Sequence, residues 1–130
     1  MKQKLLLLLA TLCICCGASA QNAAVNVAKK FCTALYNNDM VTAKSYMTPD
    51  VAQRTPDRMN FSNSEGREYL QRLKKSRYKI IENQYTSSIV TVRFYDPNYE
   101  YLSKEGRWLY CAVELVKVRE GVWKVTNASY

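Results

Sequence analysis

The hydrophobic pattern of this chain changes period at Tyr78, and that change limits the folds open to it. From Asn22 to Arg77 the apolar residues recur at helical intervals. Val25, Ala28, Cys32, Leu35 and Tyr36 form one stripe of an amphipathic helix. Asn37-Asn38-Asp39 stops that helix, and Asp39 is placed to cap a second, short one carrying Met40, Ala43 and Met47. Thr48-Pro49 restarts the chain with proline at a first helical position. Ser62-Asn63-Ser64-Glu65 reads as a capping box, and the helix it opens, about Asn63 to Ser76, carries Tyr69, Leu70 and Leu73 on one side. Beyond Tyr78, β-branched and aromatic residues predict strands near Tyr78–Tyr85, Ser88–Tyr95, Arg107–Arg119 and Val122–Tyr130. Helices followed by an antiparallel meander is an α+β pattern, with the helices on one face of the sheet.

The last hairpin can be registered from its turn. With Glu120-Gly121 as a two-residue turn, Val118 falls opposite Trp123, Val116 opposite Val125, Glu114 opposite Asn127 and Ala112 opposite Ser129. One face then carries Trp108, Tyr110, Ala112, Glu114, Val116, Val118, Trp123, Val125, Asn127 and Ser129, and it is expected to face the helices. The other face bears Lys117, Arg119 and Lys124 at one end. Its apolar remainder, Leu109, Cys111, Val113 and Leu115, is a candidate patch for a homodimer through the outer sheet face. A slip of one residue reverses every one of these assignments.

The chain begins with Met1-Lys2-Gln3-Lys4, then an uncharged run from Leu5 to Cys16, then Gly17-Ala18-Ser19-Ala20. A positive start, a short apolar stretch and a small-x-small end describe a signal peptide over residues 1–20, leaving 21–130 as a single domain. The run is too short for a spanning helix, which needs roughly 20 apolar residues, so no stable membrane insertion is expected after cleavage. Export to a periplasmic or secreted location follows. A lipoprotein is the rival, but Leu12, Ile14 and Cys15 are poor residues to precede a lipidated cysteine. Loss of twenty residues and two lysines takes the chain from 130 residues and a charge of +8 to 110 residues and +6. Of the five cysteines, Cys32 and Cys111 remain. An oxidising compartment favours a disulfide between them. The register instead puts Cys32 in the core and Cys111 on the far face as two unpaired thiols, since bonding needs Cα atoms within about 7 Å.

Phe31-Cys32-Thr33-Ala34-Leu35-Tyr36-Asn37-Asn38-Asp39, then Ala43 and Met47-Thr48-Pro49, then strands closing on Glu120-Gly121-Val122-Trp123-Lys124-Val125, resembles the nuclear transport factor 2-like superfamily. The likeness is to its small exported bacterial members of unknown function, related to lumazine-binding-like domains. It implies N-terminal helices packed on the concave face of a curved antiparallel sheet, a cone whose mouth often holds a ligand or an active site. That superfamily spans isomerases, dehydratases, transport factors and immunity-type proteins, so the fold alone does not assign a function.

The chain has no histidine. That excludes Ser-His and Cys-His nucleophile pairs, an imidazole base and His-ligated zinc. Glycine-rich phosphate loops and metal-ligand clusters are absent from the sequence, and neither a metal nor a cofactor is expected. Glu114 is the one candidate catalytic carboxylate, acting with a tyrosine as in proton abstraction beside a carbonyl; its alternative is a solvated strand residue or the partner of an arginine such as Arg93. Tyr36, Tyr69, Trp108, Tyr110, Glu114 and Asn127 are the candidate lining of a ligand pocket. The basic cluster Arg67, Arg72, Lys74, Lys75, Arg77 and Lys79 suits an anionic surface, but cations at a helix C-terminus are favoured in any case. No nucleic acid partner is expected. The reading is an exported, non-catalytic domain that binds a small ligand or a protein partner in or near the cone.

Overall fold

A computed structural model describes residues 21–100 and 109–130. The expected signal peptide and Trp108 lie outside the described residues. Helix α1 spans 21–36 and is followed by α2 (Met40–Ser45), α3 (Pro49–Arg54) and α4 (Asn63–Lys75). Strands β1 (Arg77–Glu82), β2 (Ile89–Tyr95), β3 (Leu109–Arg119) and β4 (Val122–Ser129) form one antiparallel sheet in the order β1-β2-β3-β4. The chain is α+β, helices first and sheet second.

The helix ends follow from local chemistry. Asn38 takes the left-handed conformation, φ 56°, that ends α1. Its amide donates to the Leu35 carbonyl at 3.1 Å, and the Asp39 amide donates to that of Ala34 at 2.9 Å, which satisfies two carbonyls at the end of α1. Asp39 then caps α2, accepting from the Thr42 amide at 3.2 Å. Its contacts with Thr42, side chain first and backbone second, hold its carboxyl below the usual carboxylate range. At α4 both halves of the capping box form: Ser62 Oγ accepts from the Glu65 amide at 3.2 Å, and Glu65 Oε2 accepts from the Ser62 amide at 2.7 Å.

One core joins helices to sheet. Val25, Ala28, Phe31, Cys32 and Leu35 of α1 are buried together with Val90, Val92 and Phe94 of β2, Cys111, Val113 and Leu115 of β3, and Trp123 and Val125 of β4. This overturns the face expected for β3. Cys111, Val113 and Leu115 point inward, and Ala112, Glu114 and Val116 alternate with them on the other face. The far-face placement of Cys111 is therefore wrong, and the apolar patch that suggested a dimer is interior.

The physical reason is a pair of bulges in the last hairpin. Glu114 pairs with Asn127 and Ala112 with Ser129, as expected, but Leu115 pairs with Val125 and Lys117 with Trp123. The register shifts between Glu114 and Leu115, leaving Thr126 as an extra residue, and again between Lys117 and Arg119, leaving Val118 extra and 52% exposed. Each extra residue breaks the period of two, so Trp123 and Val125 share a face with Val113 and Leu115. Gly121, at φ +70°, takes the left-handed position of the turn. The β4 edge is partly covered: the Val125 amide donates to the Tyr46 carbonyl at 2.8 Å, and the Thr48 amide donates to the Val125 carbonyl at 3.0 Å.

Helix α4 approaches α1 at Gly66, which is buried. A Cβ there would lie 2.3 Å from the Tyr36 carbonyl oxygen and 3.2 Å from Phe61 Cε2. Alanine in a free helix would gain roughly 1 kcal/mol over glycine. Here the backbone must separate, at an overpacking cost of about 1–3 kcal/mol. Gly66→Ala is expected to lower stability in a urea melt despite its higher helix propensity, and a stabilised variant would contradict this packing.

Candidate functional site

Two hollows open between the helices and the sheet, and Tyr130 borders both. The first, of about 520 Å³, has an apolar floor of Phe31, Leu35, Met47, Val51, Val125 and Ala128, with Arg54, Thr55, Glu114, Thr126, Asn127 and Tyr130 completing its lining. The second, of about 460 Å³, lies between α1, α4 and the start of β3. Its walls are Tyr36, Phe61, Tyr69, Leu109, Tyr110 and Tyr130, and Pro56, Arg58, Met59, Asn60 and Arg72 complete it. Met59 and Tyr130 meet across its edge, with the phenol oxygen 3.9 Å from the Met59 sulfur.

The aromatic wall is built by three touching rings. Tyr36 and Tyr69 lie 5.3 Å apart between centroids, Phe61 and Tyr69 5.7 Å apart edge to face, and Tyr36 and Phe61 6.3 Å apart. Asn38 holds the loop that supplies this wall, because its Oδ1 accepts from the Met59 amide at 2.9 Å. The Arg72 guanidinium sits 5.8 Å from the Tyr69 ring centroid and also pairs with Glu68 one turn away. Among the described residues Arg58 has no carboxylate partner. Burial first and the nearby Asp96 carboxylate second raise the Tyr110 phenol above its ordinary value.

The expected pocket residues are thus divided. Tyr36, Tyr69 and Tyr110 border the aromatic hollow, and Glu114 and Asn127 border the other. Glu114 is half-buried, accepts from the Thr126 hydroxyl at 3.0 Å and pairs across the sheet with Thr91 and Asn127. The phenol that shares its hollow is Tyr130. The basic cluster is divided as well. Arg67, Arg72, Lys74 and Lys75 lie on α4, whereas Arg77 and Lys79 lie on β1, 4.0 and 3.8 Å from Glu100.

Arg58, Phe61 and Tyr130 were not singled out in the sequence. Phe61 carried a usable signal, an aromatic residue just before a capping box, the position of a hydrophobic staple. Its usual partner four residues into the helix is Gly66, so the ring packs on Tyr36 and Tyr69 instead. Arg58 and Tyr130 carried none. Among the described residues no group of acidic, cysteine or histidine side chains could hold a metal ion, and no helix is long and apolar enough to cross a membrane.

Behind Tyr36 lie the two thiols. Cys32 Sγ and Cys111 Sγ are 3.5 Å apart, and both residues are buried. The contact with Cys32 first and the neighbouring Tyr36 phenol next pull the Cys111 thiol below its ordinary value, against the opposing effect of burial. The same contact, with burial, pushes Cys32 well above it. Burial first, and the neighbouring thiols second, push Tyr36 above the ordinary phenol value near 10.

The sign of the Tyr36 shift has a measurable consequence. Above pH ~10 the unfolded chain releases a phenol proton that the folded chain keeps, so stability falls as pH rises. Ultraviolet titration is expected to show one tyrosine that ionises only as the protein unfolds, and Tyr36→Phe should remove that late step. A Tyr36→Phe titration identical to the parent's would contradict the buried placement.

No protein-family model, curated protein or solved structure matches this chain.

Proposed function

We propose that the chain is an exported, non-catalytic domain of the nuclear transport factor 2-like cone type, and that it binds a small ligand in the aromatic hollow. The observation that carries this reading is the wall of Tyr36, Phe61, Tyr69 and Tyr110 with Arg58 and Arg72 beside it. Touching rings favour a flat apolar body, and guanidinium groups favour a carboxylate or sulfonate at one end of it. A hollow of about 460 Å³ is the size of an ordinary small-ligand site. The ligand class is therefore a flat, mostly apolar organic acid. Helices on one sheet face, a doubly bulged last hairpin and hollows at the helix–sheet junction support the cone, because bulges bend strands. The N-terminal pattern of charge, apolar run and small residues supports export.

Catalysis by Glu114 is less well supported. Of the four tyrosines of the aromatic hollow, Tyr36, Tyr69 and Tyr110 do not border the Glu114 hollow and Tyr130 does, while the Glu114 carboxylate is already engaged by Thr126. Proton abstraction needs base and oxyanion donor to converge on one substrate.

Fluorescence titration with 8-anilinonaphthalene-1-sulfonate, an aromatic sulfonate, tests the reading on the folded protein. Saturable one-to-one binding is expected, weakened about tenfold by Arg58→Ala and more by Tyr69→Ala, where tenfold corresponds to ~1.4 kcal/mol. Absent saturation, or binding that neither substitution changes, would overturn it.

A further inference from the structure

We infer that Cys32 and Cys111 are the site of an intramolecular disulfide that ties α1 to β3 behind the aromatic hollow. The inference does not depend on what that hollow binds. The two sulfurs face each other at 3.5 Å in the core, so an approach of roughly 1.5 Å brings them to bonding distance. Both elements are fixed on either side of the pair. Ala28, Phe31 and Leu35 hold the Cys32 turn of α1, and β3 is anchored by its ladder to β2, where Cys111 pairs with Phe94. The link would join residues separated by 79 positions, spanning α2, α3, α4, β1 and β2. A cross-link over so long a loop removes much of the freedom of the unfolded chain.

While both thiols are exposed, exchange can begin at either one; the two routes are mirror images that give the same bond, and in one of them Cys111 attacks first. The oxidant is a small-molecule disulfide. The Cys111 thiolate, its proton lost to solvent, attacks one oxidant sulfur, forming a mixed disulfide and expelling a thiolate that takes up a proton. Cys32 then loses its proton, attacks the Cys111 sulfur and expels the second thiolate. Two S–H bonds of the protein are lost and one S–S bond forms. Two electrons pass to the oxidant, which ends as two thiols. Both cysteines are nearly inaccessible once packed, at 1% and 3% exposure, so exchange takes place before α1 docks on the sheet.

The test uses the full chain carrying Cys13→Ala, Cys15→Ala and Cys16→Ala, refolded with oxidised and reduced glutathione. The expected product is a monomer two hydrogens lighter than the reduced chain, with no thiol reactive in denaturant. A digest made without reductant should contain the Cys32 peptide joined to the Cys111 peptide. Reduction should lower the urea midpoint by about 1–2 M, and the same chain with Cys111→Ala should show no such change. Two reactive thiols, a stable glutathione adduct, a disulfide-linked dimer or a midpoint indifferent to reductant would each overturn the inference.

Discussion

Helix α1 can bury its apolar stripe only if the sheet offers one continuous apolar face, and the last hairpin supplies that face by breaking its own alternation. A strand pair with perfect period two would set Trp123 and Val125 on the side of Glu114 and Val116, splitting the apolar residues between core and solvent. The extra residues Thr126 and Val118 restore agreement, so Leu115 faces Val125 and Lys117 faces Trp123. Each fully buried branched or aromatic side chain gained this way contributes about 1.5–3 kcal/mol of transfer free energy. That exceeds the loss of a ladder hydrogen bond at a bulge, about 0.5–1.5 kcal/mol. Burial wins, and the bulges follow from it.

The aromatic hollow is a by-product of how α1 ends. Asn38 closes the helix in a left-handed conformation, starts the turn into α2 and, through its side chain, holds the Met59 amide. Gly66 lets α4 press its backbone against the Tyr36 carbonyl, which brings Tyr69 and Phe61 to the Tyr36 ring. One helix end thus connects local capping, interhelix packing and the wall of the candidate site. Tyr36 is the shared element, since it borders the hollow and also neighbours the Cys111 thiol.

The helical half of the chain was readable because its signals are local. The stripe from Val25 to Tyr36, the Asp39 cap, the Thr48-Pro49 start and the Ser62/Glu65 box each depend on residues within four positions of one another, and all four are present. Strand positions were readable within two or three residues at most ends. The facing of β3 was not, because a bulge leaves no mark on a period-two pattern until its partner strand is known. Tyr36, Tyr69 and Tyr110 share one hollow with Arg58 and Phe61, which lie on a loop whose path depends on the long-range Asn38–Met59 bond. Glu114 and Asn127 were correctly paired across the hairpin, yet they border a different hollow from those tyrosines.

The bulged register turns Cys111, Val113 and Leu115 toward α1. Cross-strand proton–proton NOEs along β3 and β4 test it most directly. The bulged register predicts backbone contacts of Leu115 with Val125 and of Lys117 with Trp123, beside Glu114 with Asn127. An unbroken ladder, with Val116 opposite Val125 and Val118 opposite Trp123, would contradict it.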